Sequence, residues 1–417
     1  MSKSYIILTS DIRQIGGMQC YVAGKADYLK KSGWRVNVFY GGYNKFNRRS
    51  PIPSLFKYVQ NRIPELTIPP FFLYSWHRSR VLDRIEREIG RLNWEFDILE
   101  SQDDVTSQWG ELISERLGCK HVITLLNEVY RGDNKFYEPK IDFYKFKLER
   151  AEILGGEQAF QRLFEGYYEG DKFFQSNFII EEDPIQDYYN PNIEKIKRRD
   201  WNIGIISRMS KTYIPKIIRD IRKFAAKYKN KEIQVIFVGQ TKCVKDLIKT
   251  ELLDVSNLTI IELGDVVPIP RSIYLKFDVV IAGSGSARCS VYENIPVIVA
   301  DAITNRSEGI LGYETTESVS NTNNPYQKDF DESLEDVLVN SLHKSLKFTY
   351  PKQKTVAYCT EKNLEEIRKS SSKQLYFNSS SLTKGMKNIR KSMYCLLSNF
   401  FDLQALKYLV LSICERS

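Results

Sequence analysis

A strand, a turn built only from glycine and serine, a short helix and a second strand follow one another between Asp278 and Ala300. The run Val279–Ala282 is apolar at every position, which is typical of a parallel strand covered by helices on both faces. The turn removes side-chain bulk where the unpaired backbone N–H groups of the next helix begin, and such groups attract anions. The segment therefore predicts an α/β layer with a candidate phosphate site. The alternative is that the turn only packs tightly and binds no ligand. The four turn residues are Gly283, Ser284, Gly285 and Ser286.

The alternation of strands and helices runs through most of the chain and restarts once, at Trp201, after a charged linker candidate at 194–200. In each half the elements follow the order that gives a parallel sheet with right-handed crossovers. A chain of 417 residues is also too long for one ordinary hydrophobic core. We therefore predict an α/β protein with two Rossmann-like domains, at residues 1–195 and 200–345, that face a cleft, followed by a helical tail at 346–417. Ligands of such open sheets bind beyond the carboxyl ends of the strands.

Positive charge is concentrated towards the C-terminus. The net charge is +9, and residues 346–417 contain 13 Lys and Arg against 5 Asp and Glu. Because the rest of the chain is close to neutral, we expect no basic groove and no nucleic-acid partner. A helix predicted over 384–413 has apolar residues at helical spacing, so residues 384–417 are expected either to lie on an anionic membrane surface or to pack on the body. Asp402 and Lys407 interrupt that helix, which disfavours a membrane-spanning segment.

The seven cysteines are scattered along the chain, with neither C-x-x-C spacing nor the pattern of a disulfide framework. This distribution indicates a reducing compartment and gives no sign of a zinc site. The N-terminus enters a strand directly, without the apolar segment of a secretion signal. We therefore expect a cytoplasmic protein.

Short motifs in both halves point to one family. Gly16-Gly17-Met18-Gln19 follows the opening strand, Gly204–Lys211 (GIISRMSK) opens the second half, and Pro296-Val297-Ile298 comes later. Over residues 5–345 this arrangement resembles a GT-B glycosyltransferase related to family 4, of the kind that assembles bacterial surface polysaccharides and capsules. The segment Gly309–Tyr313 is similar to sequences of capsule and cell-wall transferases.

The resemblance implies transfer of a sugar from a nucleotide-sugar donor, held by the second domain, to an acceptor held by the first. The leaving diphosphate gains negative charge in the transition state. Arg208 and Lys211 would neutralise that charge while the amides of the 283–286 turn contact the phosphates. Proteins of this kind usually need no metal, so no cofactor is expected. The other implied donor-binding residues are Gly16 and Gly17 in the first domain, Glu293 for the ribose, and Glu308, in the following loop, for the sugar hydroxyls.

The sequence also departs from the family pattern. The family's E-x7-E glutamates, aligned through Pro296, fall at Ile281 and Cys289, and the usual histidine after the fourth N-terminal strand is replaced by Asn127-Glu128. An inverting enzyme needs a general base beside the acceptor hydroxyl, whereas a retaining one can work without it. The stereochemistry therefore stays open. The candidates for that base are Glu128, Asp103 and Asp11.

Three functions remain open at this point. The first is a glycosyltransferase, peripheral on the inner face of the cytoplasmic membrane, that extends a lipid-linked saccharide. The second is a GT-B sugar-nucleotide epimerase, which would need no membrane tail. The third is a degenerate transferase that acts as an assembly partner in the same pathway, and the missing glutamate pair favours it.

Overall fold

The structure is a computed structural model of the chain and describes residues 3–10, 12, 17–41, 59–90, 97–125, 141–155, 191–266, 269–316, 324–350, 356–369 and 375–376. The chain forms two compact units. Unit 1 comprises Met1–Asn177 and Lys354–Ser417, and unit 2 comprises Phe178–Gln353. Each unit contains one six-stranded sheet with helices, so the predicted α/β class with two Rossmann-like domains is confirmed.

Unit 1 begins with a βαβ unit and continues as an open parallel sheet. Its strands are β1 (Ser4–Thr9), β2 (Arg35–Tyr40), β3 (Val59–Arg62), β4 (Ile98–Ser101), β5 (Lys120–Leu125) and β6 (Ile153–Gly155). Its helices, before the tail, are α1 (Gly17–Lys31), α2 (Ser75–Gly90), α3 (Asp104–Leu117) and α4 (Ile141–Glu149), with 3-10 turns at Pro64–Thr67 and Pro70–Phe72. The strand order is β3-β2-β1-β4-β5-β6, with every adjacent pair parallel. All six residues of β1 are buried, because helices cover both faces of the central strands.

Unit 2 repeats this plan with one antiparallel strand at its edge. Its strands are β7 (Trp201–Ile206), β8 (Ile233–Val238), β9 (Leu258–Gly264), β10 (Val279–Ala282), β11 (Val297–Ala300) and β12 (Ser307–Ile310). Its helices are α5 (Ile214–Lys227), α6 (Lys245–Leu252), α7 (Arg271–Tyr274), α8 (Ser284–Tyr292), α9 (Phe330–Leu338) and α10 (Leu342–Ser345). The order is β12-β11-β10-β7-β8-β9, and only β12 runs antiparallel to its neighbour. Sequence reasoning missed β12 and was wrong to expect Glu308 in a loop, since Glu308 lies on this strand.

Helix α5 fixes the loop that follows β7. It buries apolar residues at helical spacing against the sheet, and each buried isoleucine or phenylalanine side chain contributes about 1.5–3 kcal/mol. The loop at 207–213 therefore joins two well-anchored elements. The buried set is Ile214, Ile217, Ile218, Ile221, Phe224 and Ala225.

The first helix of the predicted tail, α11 (Val356–Lys369), packs within unit 1. The Tyr28 hydroxyl donates to Glu361, 3.1 Å away, and the Lys120 ammonium donates to the Ile367 carbonyl over 2.7 Å. The helix predicted over 384–413 lies outside the described residues. None of the helices within the described ranges combines the length and the apolar character that crossing a membrane requires.

Candidate functional site

The strand order of unit 2 reverses beside β7. From β7 the chain moves outward through β8 to β9, and then returns to place β10 against the other side of β7. Ligands of open α/β sheets bind at such a reversal, outside the carboxyl ends of the two strands. In unit 2 those ends lead into the loop 207–213 and the turn 283–286. Two motifs that lie about seventy residues apart in the sequence thus meet at one edge of the sheet.

Tyr213 connects these two segments. Its hydroxyl lies 2.8 Å from the hydroxyl of Ser207, and a Cβ atom on Gly283 would lie 3.6 Å from the same phenol oxygen and 3.0 Å from the carbonyl oxygen of Ala300. Gly239 approaches from the next strand, where φ is +140° and a Cβ would lie 2.1 Å from the Ser207 carbonyl oxygen. Glycine is therefore required at 239 and strongly favoured at 283, because the strand ends lie too close together for side chains.

Arg208 and Lys211 both lie in one tight turn between β7 and α5. The backbone N–H of Lys211 donates to the Arg208 carbonyl over 3.0 Å. Arg208 is exposed, and no carboxylate in the described part of the chain pairs with it. Burial raises the pKa of the Tyr213 phenol, while the Ser207 hydrogen bond and the positive charge of Arg208 act in the opposite direction. An unneutralised guanidinium therefore stands close to the point where the strand order reverses.

The turn 283–286 forms the N-terminus of α8. Gly283 is the N-cap in an extended conformation, and no side chain caps the helix. The first turn contains no acidic residue, and a Cβ on Gly285 would meet no atom within 4 Å. The first N–H groups of a helix have no intrahelical partner and attract anions. The strand, turn and helix that the sequence predicted are therefore present, and phosphate binding by the turn stays a prediction.

The two acidic residues predicted to bind donor lie farther along unit 2. Glu293 is the C-cap of α8, at the opposite end of the helix from the turn, and pairs with Arg271 over 2.9 Å. Glu308 is buried on β12, where its carboxylate accepts from Asn324 at 2.6 Å and from Gln327 at 2.9 Å. These contacts give Glu308 a structural role, and its contact with a donor sugar stays a prediction, as does the ribose contact of Glu293.

Unit 1 has its own reversal of strand order, between β1 and β4. Asp103 follows β4 there and caps α3, accepting from the Thr106 backbone N–H at 2.9 Å. Burial raises the pKa of Asp103, against the opposing effect of hydrogen bonds from Thr106 and Ser10. A carboxylate with a raised pKa accepts a proton more readily than a carboxylate with the ordinary pKa of an exposed side chain. The interaction with Ser10 joins the ends of β1 and β4.

Gln102 lies beside Asp103 and was missed by sequence reasoning. It is 1% exposed, and neither its amide oxygen nor its amide nitrogen has a hydrogen-bond partner among the described residues. Leaving such a group unpaired costs about 1–3 kcal/mol, so a buried amide with both groups free is a candidate ligand contact. The sequence does contain a signal, since the polar run Gln102-Asp103-Asp104 follows the buried strand β4 directly.

The remaining predicted site residues divide into two groups. Gly16, Glu128 and Asp11 lie outside the described residues. Gly17 is the exposed first residue of α1, and a Cβ there would meet nothing within 4 Å. Packing with the described residues does not require glycine at 17.

Within the described residues one group of three carboxylates, Asp220, Asp329 and Asp331, has the spacing of a metal site. It joins α5 to the start of α9. Lys216 lies 2.9 Å from Asp220 and 3.0 Å from Asp329, and Lys223 lies 2.9 Å from Asp220. Lysines thus neutralise this group, and the expectation that no metal is needed stays a prediction.

These two units, each with a mainly parallel sheet whose strand order reverses at its centre, have the GT-B fold. HepE of Anabaena, solved with UDP and glucose, matches with a TM-score of 0.55 and 11% identity over 92% of this chain and 97% of HepE. A glycosyltransferase of Rickettsia africae matches with a TM-score of 0.54 and 14% identity over 92% and 96%. UDP-GlcNAc 2-epimerase of Neisseria meningitidis, bound to UDP-GlcNAc, matches with a TM-score of 0.52 and 13% identity over 88% and 100%.

At these identities the likeness shows the fold alone. No family model and no curated protein matches the sequence. The GT-B part of the predicted resemblance is therefore confirmed, while family 4 and the capsule type remain predictions.

Proposed function

We propose that the chain is a glycosyltransferase that moves a sugar from a nucleotide-sugar donor, bound by unit 2, to a saccharide acceptor in the synthesis of a surface polysaccharide. One observation carries the proposal. Arg208, exposed and without a carboxylate partner among the described residues, stands at the same strand-order reversal as the uncapped N-terminus of α8. A guanidinium beside free backbone N–H groups is suited to a diphosphate.

The reaction makes use of this electrostatic arrangement. As the bond between the sugar and the diphosphate breaks, negative charge grows on the phosphate oxygens. Arg208 and Lys211 would stabilise that charge together with the N–H groups of the 283–286 turn. Removing one preorganised donor of this kind typically lowers the rate about a hundredfold or more.

The acceptor hydroxyl must lose a proton during transfer. Asp103 is suited to accept it because burial raises its pKa and because it lies at the strand-order reversal of unit 1. Glu128 and Asp11 are the other candidates from the sequence. An inverting enzyme would use one of the three, and Asp103→Asn, Glu128→Gln and Asp11→Asn would separate their roles.

The acceptor that best fits the basic tail is a lipid-linked saccharide. Residues 384–417 would hold the enzyme against the anionic inner face of the cytoplasmic membrane, where such an acceptor lies. HepE was solved with UDP and glucose, which makes UDP the first nucleotide to test here.

A sugar-nucleotide epimerase is the second candidate, favoured by the fold match to UDP-GlcNAc 2-epimerase. The two activities are separated by incubating the purified chain with UDP-sugars, with and without a bacterial lipid extract. A transferase releases UDP only when acceptor is present and labels the lipid, whereas an epimerase inverts the configuration at one carbon of the sugar, without acceptor, and yields a soluble product. Binding of UDP with neither reaction would identify the third function, a scaffold.

Arg208→Ala is the variant that tests the site. Turnover should fall about a hundredfold or more while the circular dichroism spectrum stays unchanged. Arg219→Ala is the matched control, because Arg219 is an exposed arginine of α5 and its loss changes the net charge equally. Equal turnover in both variants would overturn the assignment of this site.

A further inference from the structure

The exposed side of α2, in unit 1, has an unusual composition. Trp76, Arg80, Arg84 and Arg87 lie three or four residues apart, so they form one stripe along the helix. Trp76 is 51% exposed, and the Arg80 guanidinium lies 5.7 Å from the centre of its ring. The apolar residues of α2 lie on the opposite side, in the core of unit 1. We call this stripe and the groove beside it the α2 groove.

The α2 groove is concave, and both the arginines of the stripe and the carboxylates of Glu65 and Asp83 line it. Its volume is about 310 Å³, and Glu65 and His77 belong to its lining. His77 and Glu65 are largely buried, with the imidazole 3.9 Å from the carboxylate. This volume lies at the small end of the range for ligand pockets, about 300–1,000 Å³, and suits one or two sugar rings.

The cations of the α2 groove are only partly neutralised. Arg80 and Arg87 have no carboxylate partner within the ranges that the structure describes; Arg87 donates only to the Asp83 carbonyl oxygen at 3.5 Å. Asp83 is itself paired with Arg116, at 2.7 Å, from outside the stripe. Among the described residues these two guanidinium groups thus have no anionic partner, and their planar donor pattern matches carboxylate and phosphate oxygens.

We propose that the α2 groove binds an acidic saccharide, a sugar ring that bears a carboxylate or a phosphate. Trp76 would pack against the apolar face of the ring, and Arg80 and Arg87 would bind the anionic group. None of these three residues lies at the strand-order reversals of the sheets. The proposed binding site therefore does not depend on whether the protein is a transferase or an epimerase.

A saccharide fits this surface better than a membrane does. A helix that lies on a membrane presents a continuous apolar stripe to the lipid. On α2 that stripe is buried, and Trp76 is the one large apolar side chain of the helix among those described as exposed. The charge and the ring together match a sugar acid or a sugar phosphate.

The test is a calorimetric titration of the full chain with glucuronic acid, glucose 6-phosphate, glucose and inorganic phosphate. At least one acidic sugar should bind saturably and more tightly than glucose or phosphate. Arg80→Ala/Arg87→Ala should weaken that binding about tenfold or more, because it removes hydrogen bonds to the charged group. Trp76→Ala should weaken it about tenfold, because it removes the aromatic surface on which the sugar ring packs. Arg219→Ala, in unit 2, should leave it unchanged.

Three results would overturn the proposal. They are an absence of saturable binding by both acidic sugars, equal affinity in the wild type and the Arg80→Ala/Arg87→Ala variant, and equal affinity for inorganic phosphate and the acidic sugars. Cosedimentation with phosphatidylglycerol vesicles that Arg80→Ala/Arg87→Ala abolishes, without any saccharide binding, would assign the groove to a membrane instead. UDP binding, measured on the same variants, reports on unit 2 separately.

Discussion

The hydroxyl groups of Tyr213 and Ser207 lie 2.8 Å apart, which ties the first residues after β7 to the start of α5. A Cβ on Gly283 would lie 3.6 Å from that same Tyr213 hydroxyl. The hydrogen bond thus fixes the Tyr213 hydroxyl within the loop, and this hydroxyl packs beside Gly283 at the N-terminus of α8. The donor site that we propose depends on this packing.

Alanine at 283 and at 285 should have opposite effects on stability. In Gly283→Ala the new methyl group would lie 3.0 Å from the Ala300 carbonyl oxygen, and such overpacking costs about 1 kcal/mol or more. In Gly285→Ala the methyl group would meet nothing within 4 Å, and alanine in a helix is favoured over glycine by about 1 kcal/mol. Urea unfolding checks both values, and a stabilising Gly283→Ala would contradict the packing described here.

A buried ion pair beneath α1 should be costly to break. The Lys25 ammonium lies 2.5 Å from Glu100, which also accepts from the Tyr5 hydroxyl, and both charged side chains are at most 1% exposed. Lys25→Met would leave an uncompensated buried carboxylate and should lower the free energy of unfolding by about 3–5 kcal/mol. Adding Glu100→Leu should recover much of that loss. Independent, additive losses in a double-mutant cycle would show that the two charges are not coupled.

Unit 1 should lose stability in acid through Glu111. Burial would raise the pKa of Glu111, but the hydrogen bond with His121 and the charge of Lys147 outweigh it and lower that pKa to about 2, from 4.5. The stabilisation is therefore fully present above pH 4.5 and is lost as the pH falls towards 2. Burial, followed by the charge of Lys147, lowers the pKa of His121, so an earlier loss of stability begins near pH 6.5.

Glu111→Gln isolates the carboxylate in this network. At pH 7 it should lower the free energy of unfolding by about 3 kcal/mol. This difference in free energy between the variant and the wild type, the gap, should narrow between pH 4.5 and pH 3. Glu149→Gln on α4 is the control, because Glu149 is exposed. Urea unfolding over this pH range measures the gap, and a gap that stays constant would rule out the lowered pKa.

Much of the fold could be predicted because apolar runs mark the central strands directly. The run Val279–Ala282 predicted β10, and the topology of parallel sheets then placed the turn 283–286 beside the loop after β7. The strand β12 could not be found in this way, because its sequence, SEGI, lacks a strong apolar pattern. Its place at the edge of the sheet depends on pairing with β11.

Long-range contacts and buried charges escaped sequence reasoning. The packing of α11 on unit 1 joins Tyr28 to Glu361, 333 residues apart, and no local pattern encodes that distance. Helical spacing predicts an inner face of α1 through Tyr21 and Leu29, but Lys25 lies buried on it too. Lysine is usually a surface residue, and the ion pair with Glu100 explains why Lys25 is buried.

The affinity of the full chain for UDP, with and without Arg208, tests the central claim most directly. Calorimetry should show binding to the wild type, at least about tenfold weaker binding to Arg208→Ala, and unchanged binding to Arg219→Ala. UDP at a hundred times its Kd should also stabilise the wild type by about 2.7 kcal/mol. Equal affinity in all three proteins, or no binding of any nucleoside diphosphate to the folded chain, would contradict the account.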